Sequence, residues 1–256
     1  MAIDGGTTPS RRVPRDRLRR TAFLGGAFYL ITFAASIPAA FVFLDPVISD
    51  PNYVLGSGSQ TGVLFGGLLD MVNAFACIGS AVVLFPLLRR QNEAVALGFV
   101  TSRLLEAAMI SIGVVSLLAV VTLRQGVAGD PGADAGMLVT VATSLVAVRD
   151  WTFLLGPGVL ATVNALLLGS LMYRSGLVPR VIPLMGLIGA PLLLASKVAT
   201  MFGVNDDATA WSLVAVAPIF CWELSLGLWM SIKGFRPCPL TAGDRPAGAS
   251  AVLTHA

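Results

Sequence analysis

Charge is scarce in this chain. Asp, Glu, Lys and Arg together make up 12% of its 256 residues, where a soluble domain carries about a quarter. So few charges cannot furnish a water-facing shell, which excludes one or two ordinary soluble domains of this length. Histidine is rarer still. The one copy, His255, lies in the polar C-terminal stretch, so the apolar segments have neither a Ser–His dyad nor a His-based metal site. Three cysteines give no disulfide framework: Cys77 and Cys221 fall inside apolar blocks and Cys238 lies in a basic tail. No H-E-x-x-H, G-x-S-x-G or P-loop pattern occurs. Gly126-Val127-Ala128-Gly129-Asp130 only loosely matches an intramembrane aspartyl-protease motif, and it sits in a loop. The net charge of +3 would suit a nucleic-acid binder, but aromatic residues do not interleave with the arginines. No cofactor, metal or nucleic acid is therefore expected.

What the chain has instead is apolar length. Hydrophobic residues make up 55% of it, mean hydropathy is +0.82, and they arrive in long blocks, the pattern of bilayer helices. Six spans are expected, at about 21–44, 62–87, 94–123, 151–173, 181–202 and 211–232, since a bilayer core takes about 20 helical residues. Residues 1–20 read as a disordered basic leader and 237–256 as a disordered tail. The first block exceeds the h-region of about 7–15 residues in a secretory signal, so it reads as an uncleaved span, loosened at Pro38. Residues 137–173 would make a single helix of about 55 Å. The sequence Gly156-Pro157-Gly158 argues for a break, and a short interfacial or re-entrant helix at 137–149 is expected before span four. This gives an all-α polytopic bundle. With both termini cytoplasmic, the leader arginines, Arg89, Arg90, Arg174, Arg180, Lys233, Arg236 and Arg245 lie inside. The outer loops then carry Arg124 beside Asp45, Asp50, Asp130, Asp134, Asp206 and Asp207. That asymmetry fits the rule that basic residues stay on the cytoplasmic side, and points to the cell membrane. Gly62 and Gly66, Gly98 and Ser102, and Ala165 and Gly169 form small-xxx-small pairs that permit close packing.

The candidate site is made of the polar residues inside the spans: Asp70, Asn73, Arg103, Glu106, Asn164, Lys197 and Glu223. A charge at the centre of a span costs at least about 2.5–3.5 kcal/mol on insertion scales, so it faces a partner or a water-filled cavity. Counting 1.5 Å per residue puts Asp70 and Lys197 about 10 Å below the outer surface, and Arg103, Glu106, Asn164 and Glu223 roughly 13–20 Å from the inner end. Two groups are predicted: an Asp70–Lys197 pair, and a cluster of Arg103, Glu106, Glu223 and Asn164 from spans three, four and six. Three carboxylates then face two bases. Burial disfavours the unmatched charge, so Glu106 or Glu223 is expected to hold a proton or help bind a cation. Arg149, Asp150 and Trp151 sit at the outer boundary, where they shape a site entrance or form a snorkelling pair beside an interfacial tryptophan.

Several stretches resemble a bacterial membrane family labelled domain of unknown function 4386. They are Tyr29-Leu30-Ile31-Thr32-Phe33, the run from Val83 to Glu93, Arg103-Leu104-Leu105-Glu106, Asp150-Trp151-Thr152-Phe153-Leu154-Leu155-Gly156-Pro157-Gly158, Met172 to Pro179, Trp222-Glu223-Leu224-Ser225-Leu226-Gly227 and Lys233-Gly234-Phe235. The resemblance covers about residues 20–236. One departure is Arg149, where the family usually has histidine before the Asp-Trp pair; imidazole chemistry is not available there. The resemblance implies a multi-pass membrane protein and supplies no activity. The leading expectation is a non-enzymatic inner-membrane protein that binds or moves a small solute or proton at the buried charges. The alternatives are a regulatory or scaffolding protein whose charges lock the bundle, and an intramembrane carboxylate enzyme. Beyond the lipid bilayer, no protein partner is legible.

Overall fold

The structure, a computed structural model, describes residues 15–56, 58–126, 134–205 and 209–241. The leader through residue 14, Asp130, Asp206, Asp207 and the tail from residue 242 lie outside the described residues. Among the described residues the regular elements are all helical: α1 (Arg15–Pro38), α2 (Asp45–Ser49), α3 (Gln60–Leu88), α4 (Glu93–Gly126), α5 (Ala135–Phe153), α6 (Ala161–Ser175), α7 (Val181–Met201) and α8 (Ala210–Ile232). Six helices are long and apolar enough to cross a membrane, with α5 and α6 counting as one. Helix α1 begins at Arg15, so residues 15–20 of the expected leader are helical.

Local chemistry sets the helix ends. Ser59, Asp134 and Thr209 accept hydrogen bonds from the first backbone N–H groups of α3, α5 and α8, satisfying donors that a helix leaves open. Gly176 adopts φ 69° after α6, the left-handed turn that glycine tolerates best. Two of the prolines inside spans are absorbed by π turns. After Pro38 the chain continues as a π-helix over Ala39–Phe43, and Pro157 lies inside a π-helical stretch, Leu154–Leu160. Proline lacks an amide donor; a wider π turn accommodates that gap. The break expected at Gly156-Pro157-Gly158 is therefore a change of helix type. The segment expected as a separate helix at 137–149 is the N-terminal part of a 41-residue helix, Ala135–Ser175.

The spans form a closed ring. Helix α1 packs on α3, α3 on α4, α4 on α6, α6 on α7, α7 on α8, and α8 back on α1. The ends of the ring differ. Arg17, Arg19, Arg20, Arg89, Arg90, Arg174, Arg180, Lys233 and Arg236 gather at one end, hereafter the basic end. There Arg19 Nη2 donates to the carbonyls of Ser231 and Ile232 at 3.3 and 2.8 Å, capping the C-terminus of α8.

At the other end, the segment between α1 and α3 folds over α4 and α5. Leu44, Val47, Tyr53 and Val54 bury against Leu117, Val120, Val121 and Ala142. Arg124 anchors this cap: it lies 4.7 Å over the Tyr53 ring and donates to the carbonyls of Gly56 and Gly58. The Tyr53 hydroxyl is buried and has no hydrogen-bond partner among the described residues. Arg124→Ala is expected to expose residues 45–58 to protease and hydrogen exchange, because charge-assisted hydrogen bonds are worth about 1.5–3 kcal/mol each. Tyr53→Phe should leave the cap closed. Burial pushes the Tyr53 phenol above its ordinary 10, with the Arg124 charge opposing less strongly. The unfolded chain thus ionises first as pH rises past 10, and stability falls there. Thermal melts at pH 9 and pH 11 check this; Tyr53→Phe should lose less stability between them than wild type.

Candidate functional site

Arg103 is the hub. It and Glu106 stand three residues apart on α4, on one face, with Arg103 Nη1 2.9 Å from Glu106 Oε2. Arg103 Nη2 reaches Glu223 Oε1 of α8 at 3.3 Å, and Asn164 Nδ2 of α6 donates to Glu106 Oε2 at 2.7 Å. Arg103, Glu106 and Asn164 are all buried, so the group predicted from spans three, four and six is assembled. Two members were not legible beforehand. The Tyr29 ring of α1 lies 4.8 Å beneath the guanidinium, a cation–π contact that strengthens away from water. The Cys77 thiol of α3 lies 3.5 Å from Arg103 Nη1, so Cys77 is part of the cluster as well as a small core residue.

Not every polar atom of the cluster is used. Arg103 Nε and Asn164 Oδ1 are buried without partners among the described residues. Both donors to Glu106 converge on Oε2, and the hydrogen bond to Glu223 ends on Oε1. Glu106 Oε1 and Glu223 Oε2 thus accept no hydrogen bond among the described residues, and neither is a fully enclosed orphan.

Of these groups Arg103, Glu106, Glu223 and Cys77 line a cavity of about 240 Å³ inside the ring. Its polar wall holds Arg103, Glu106, Glu223, Lys197, Asn73 and Cys77; Phe33, Phe153, Leu193, Val216, Ile219 and Phe220 make the apolar part. The π stretch shapes one side. A Cβ on Gly156 would lie 2.7 Å from Met109 of α4, and one on Gly158 would lie 3.2 Å from the Lys197 side chain. The two glycines let the stretch wedge between α4 and α7, with Lys197 laid across its backbone and Pro157 on the cavity wall.

Asp70 and Lys197 do not form the predicted pair. The charge facing Asp70 is Arg149, and they share a second chamber of about 20 Å³ with Asn73, Gly113 and Thr152. That is room for a single water. Asn73, Phe153 and Pro157 line both spaces. Arg149 turns inward, against its neighbours in the bundle. Its side chain is 11% exposed, lies 3.5 Å from the Asp150 carboxylate and stacks 4.3 Å from the Phe153 ring. Gly113 of α4 makes room for it, since a Cβ there would lie 2.9 Å from Thr152 Oγ1 and 3.5 Å from Arg149 Cγ. Asp150 and Trp151 point outward, Trp151 half exposed. Arg149 also supplies a third base. It brings its own carboxylate, Asp150, so the excess of acid over base among these groups is unchanged.

The sequence matches the family described as a domain of unknown function, DUF4386, over residues 24–234. The chain belongs to the DUF4386 family. The match takes in five spans whole, the first span from residue 24, and every residue of the central cavity. No curated protein and no solved structure matches the chain. Family membership supports the multi-pass architecture, and what the DUF4386 cavity does must be argued from its chemistry.

Proposed function

We propose that this DUF4386 protein binds a small polar molecule in the cavity at the centre of its ring, as a carrier or sensor and without catalysing a reaction. One observation carries the reading: Glu106 and Glu223, each with a carboxylate oxygen that accepts no hydrogen bond among the described residues, line a cavity between the spans. Buried polar groups normally find partners, and an ionisable residue in a span is functional by default. The volume suits a compact ligand; it exceeds the roughly 150 Å³ apolar cavity that takes benzene and falls below the roughly 300–1,000 Å³ of drug-sized sites. The basic end faces the cytoplasm, with both termini there, because Lys and Arg collect on that side. In this reading the protein sits in the cell membrane of a bacterium.

A second reading rests on the bonds already made. Arg103, Glu106, Asn164 and Glu223 join α4, α6 and α8, and such contacts can serve only to hold helices in register. Thermal unfolding in mild detergent separates the two. Against a panel of metabolites and ions, wild type should shift upward with at least one ligand, since binding at a hundred times Kd adds about 2.7 kcal/mol. Glu223→Gln should fold and lose that shift. A flat response across the panel, with Glu223→Gln only less stable, would leave locking as the role of the cluster.

A further inference from the structure

The cavity is not sealed, and its opening is lateral. At the basic half of the bundle, α1 and α8 touch through backbone: a Cβ on Gly26 would lie 2.6 Å from the Gly227 carbonyl oxygen, and one on Gly227 would lie 3.1 Å from Tyr29. Farther along, contact passes to side chains, with the Phe33 and Phe220 rings edge to face at 5.0 Å. Towards the capped half, Ser36 of α1 and Val216 of α8 line the cavity. Val216 and Phe220 are also 37% and 41% exposed on the outside of α8. The flanks are apolar and open as well: Ile37 is 43% exposed and Leu213 66%. The two helices make a cleft that faces hydrocarbon and leads to the charge cluster.

We infer that the occupant is an amphiphile of the bilayer, bound head first through the α1–α8 cleft, with a zwitterionic head that carries a primary ammonium. This rests on the proposed ligand-binding role and specifies its ligand class. Glu106 Oε1 and Glu223 Oε2 accept no hydrogen bond among the described residues and are open to donors, of which an ammonium supplies three. The cavity wall carries two bases, Arg103 and Lys197, and two carboxylates, Glu106 and Glu223. A head that carries both signs meets both kinds of group, whereas a net charge deep in a bilayer is costly. The acidic part of the head is held by the bases and the ammonium by the carboxylates. The apolar chain lies in the cleft between Ile37 and Leu213.

The test uses delipidated full-length protein in a non-ionic detergent, with binding read by native mass spectrometry. Lyso-phosphatidylethanolamine is the probe. Lyso-phosphatidylcholine, whose head is zwitterionic but has no N–H, is the comparison. The ethanolamine lipid should be retained at least tenfold better. Glu223→Gln and Ser36→Trp should each reduce its retention about tenfold, by removing an acceptor and by filling the cleft. Phe75→Ala, on the lipid-facing side of α3 (Phe75 is 65% exposed), should change nothing. If Ser36→Trp does not elute as folded protein, Val216→Trp carries the same test. Equal retention of the two lipids, or retention unmoved by the cleft variants, overturns the inference. If neither lipid binds while glycerophosphoethanolamine or another soluble panel compound raises the melting temperature, lateral binding of an amphiphile is wrong and the small-ligand reading stands. If no compound of either kind acts, both fail.

Discussion

Arg103→Met is expected to be the most damaging single replacement in the bundle. The side chain is almost fully buried, yet it answers the Glu106 carboxylate at 2.9 Å and the Glu223 carboxylate at 3.3 Å while resting on Tyr29. Removing it leaves two carboxylates in low-dielectric surroundings without their shared counter-charge. Breaking a buried pair in this one-sided way costs about 3–5 kcal/mol, whereas replacing all partners by neutral groups of similar shape costs far less. The triple replacement Arg103→Met, Glu106→Gln, Glu223→Gln should therefore recover most of the lost stability. Denaturant titration in mixed micelles, with tryptophan fluorescence as readout, checks both variants. An Arg103→Met protein as stable as wild type would mean that the three charges are not held together. A triple variant no better than the single one would mean that Arg103 acts through packing on Tyr29 and Phe99.

The second large effect comes from a residue with no side chain. A Cβ on Gly26 would fall 2.5 Å from Ser231 Oγ and 2.6 Å from the Gly227 carbonyl oxygen. Backbone cannot rotate away, so Gly26→Ala must push α1 from α8, and overpacking of this kind costs about 1–3 kcal/mol. Gly98→Ala makes the opposite case. The nearest atoms to its new Cβ, on Leu167, are 3.6 and 3.8 Å away, an ordinary contact. Alanine should gain up to about 1 kcal/mol there through helix propensity. The pair of melts is decisive because the chemical change is identical at both sites. Similar outcomes would show that α1 and α8 are not in backbone contact.

The six spans were legible because a bilayer imposes length and apolarity on every crossing, and the outcome matches the hydropathy blocks closely. The Arg103–Glu106–Asn164–Glu223 group was legible because depth along a helix follows from residue count. Depth carries no information about which way a side chain faces around the ring, and this is why Asp70 was matched with Lys197. Asp70 lies on α3 next to α4 and meets Arg149 across Gly113, while Lys197 turns over Gly158 into the central cavity. Gly156-Pro157-Gly158 reads as a break in the sequence, which hides that Arg149 turns inward. The π stretch instead carries a continuous helix past it. Small-residue spacing within one helix picked out Gly66, a tight contact against Leu44, together with the loose Gly98. It could not find Gly26 and Gly227, whose partnership exists only between helices at opposite ends of the chain.

That partnership also dictates an order of assembly during synthesis. About 200 residues separate Gly26 from Gly227, so at ~5–20 residues per second the first helix waits roughly 10–40 s for its neighbour. Through that interval the groove of α1 around Gly26 and Tyr29 must be occupied by lipid or by the insertion machinery. Helix α4 meets no such delay, since Arg103 and Glu106 neutralise each other on one helix and can leave the translocon as a matched pair. Glu223 emerges last and docks on an arginine already in place. Closing the ring is thus the final event of biogenesis, and a nascent chain stopped before Ala210 would be inserted, charge-matched on α4 and still open along its first helix.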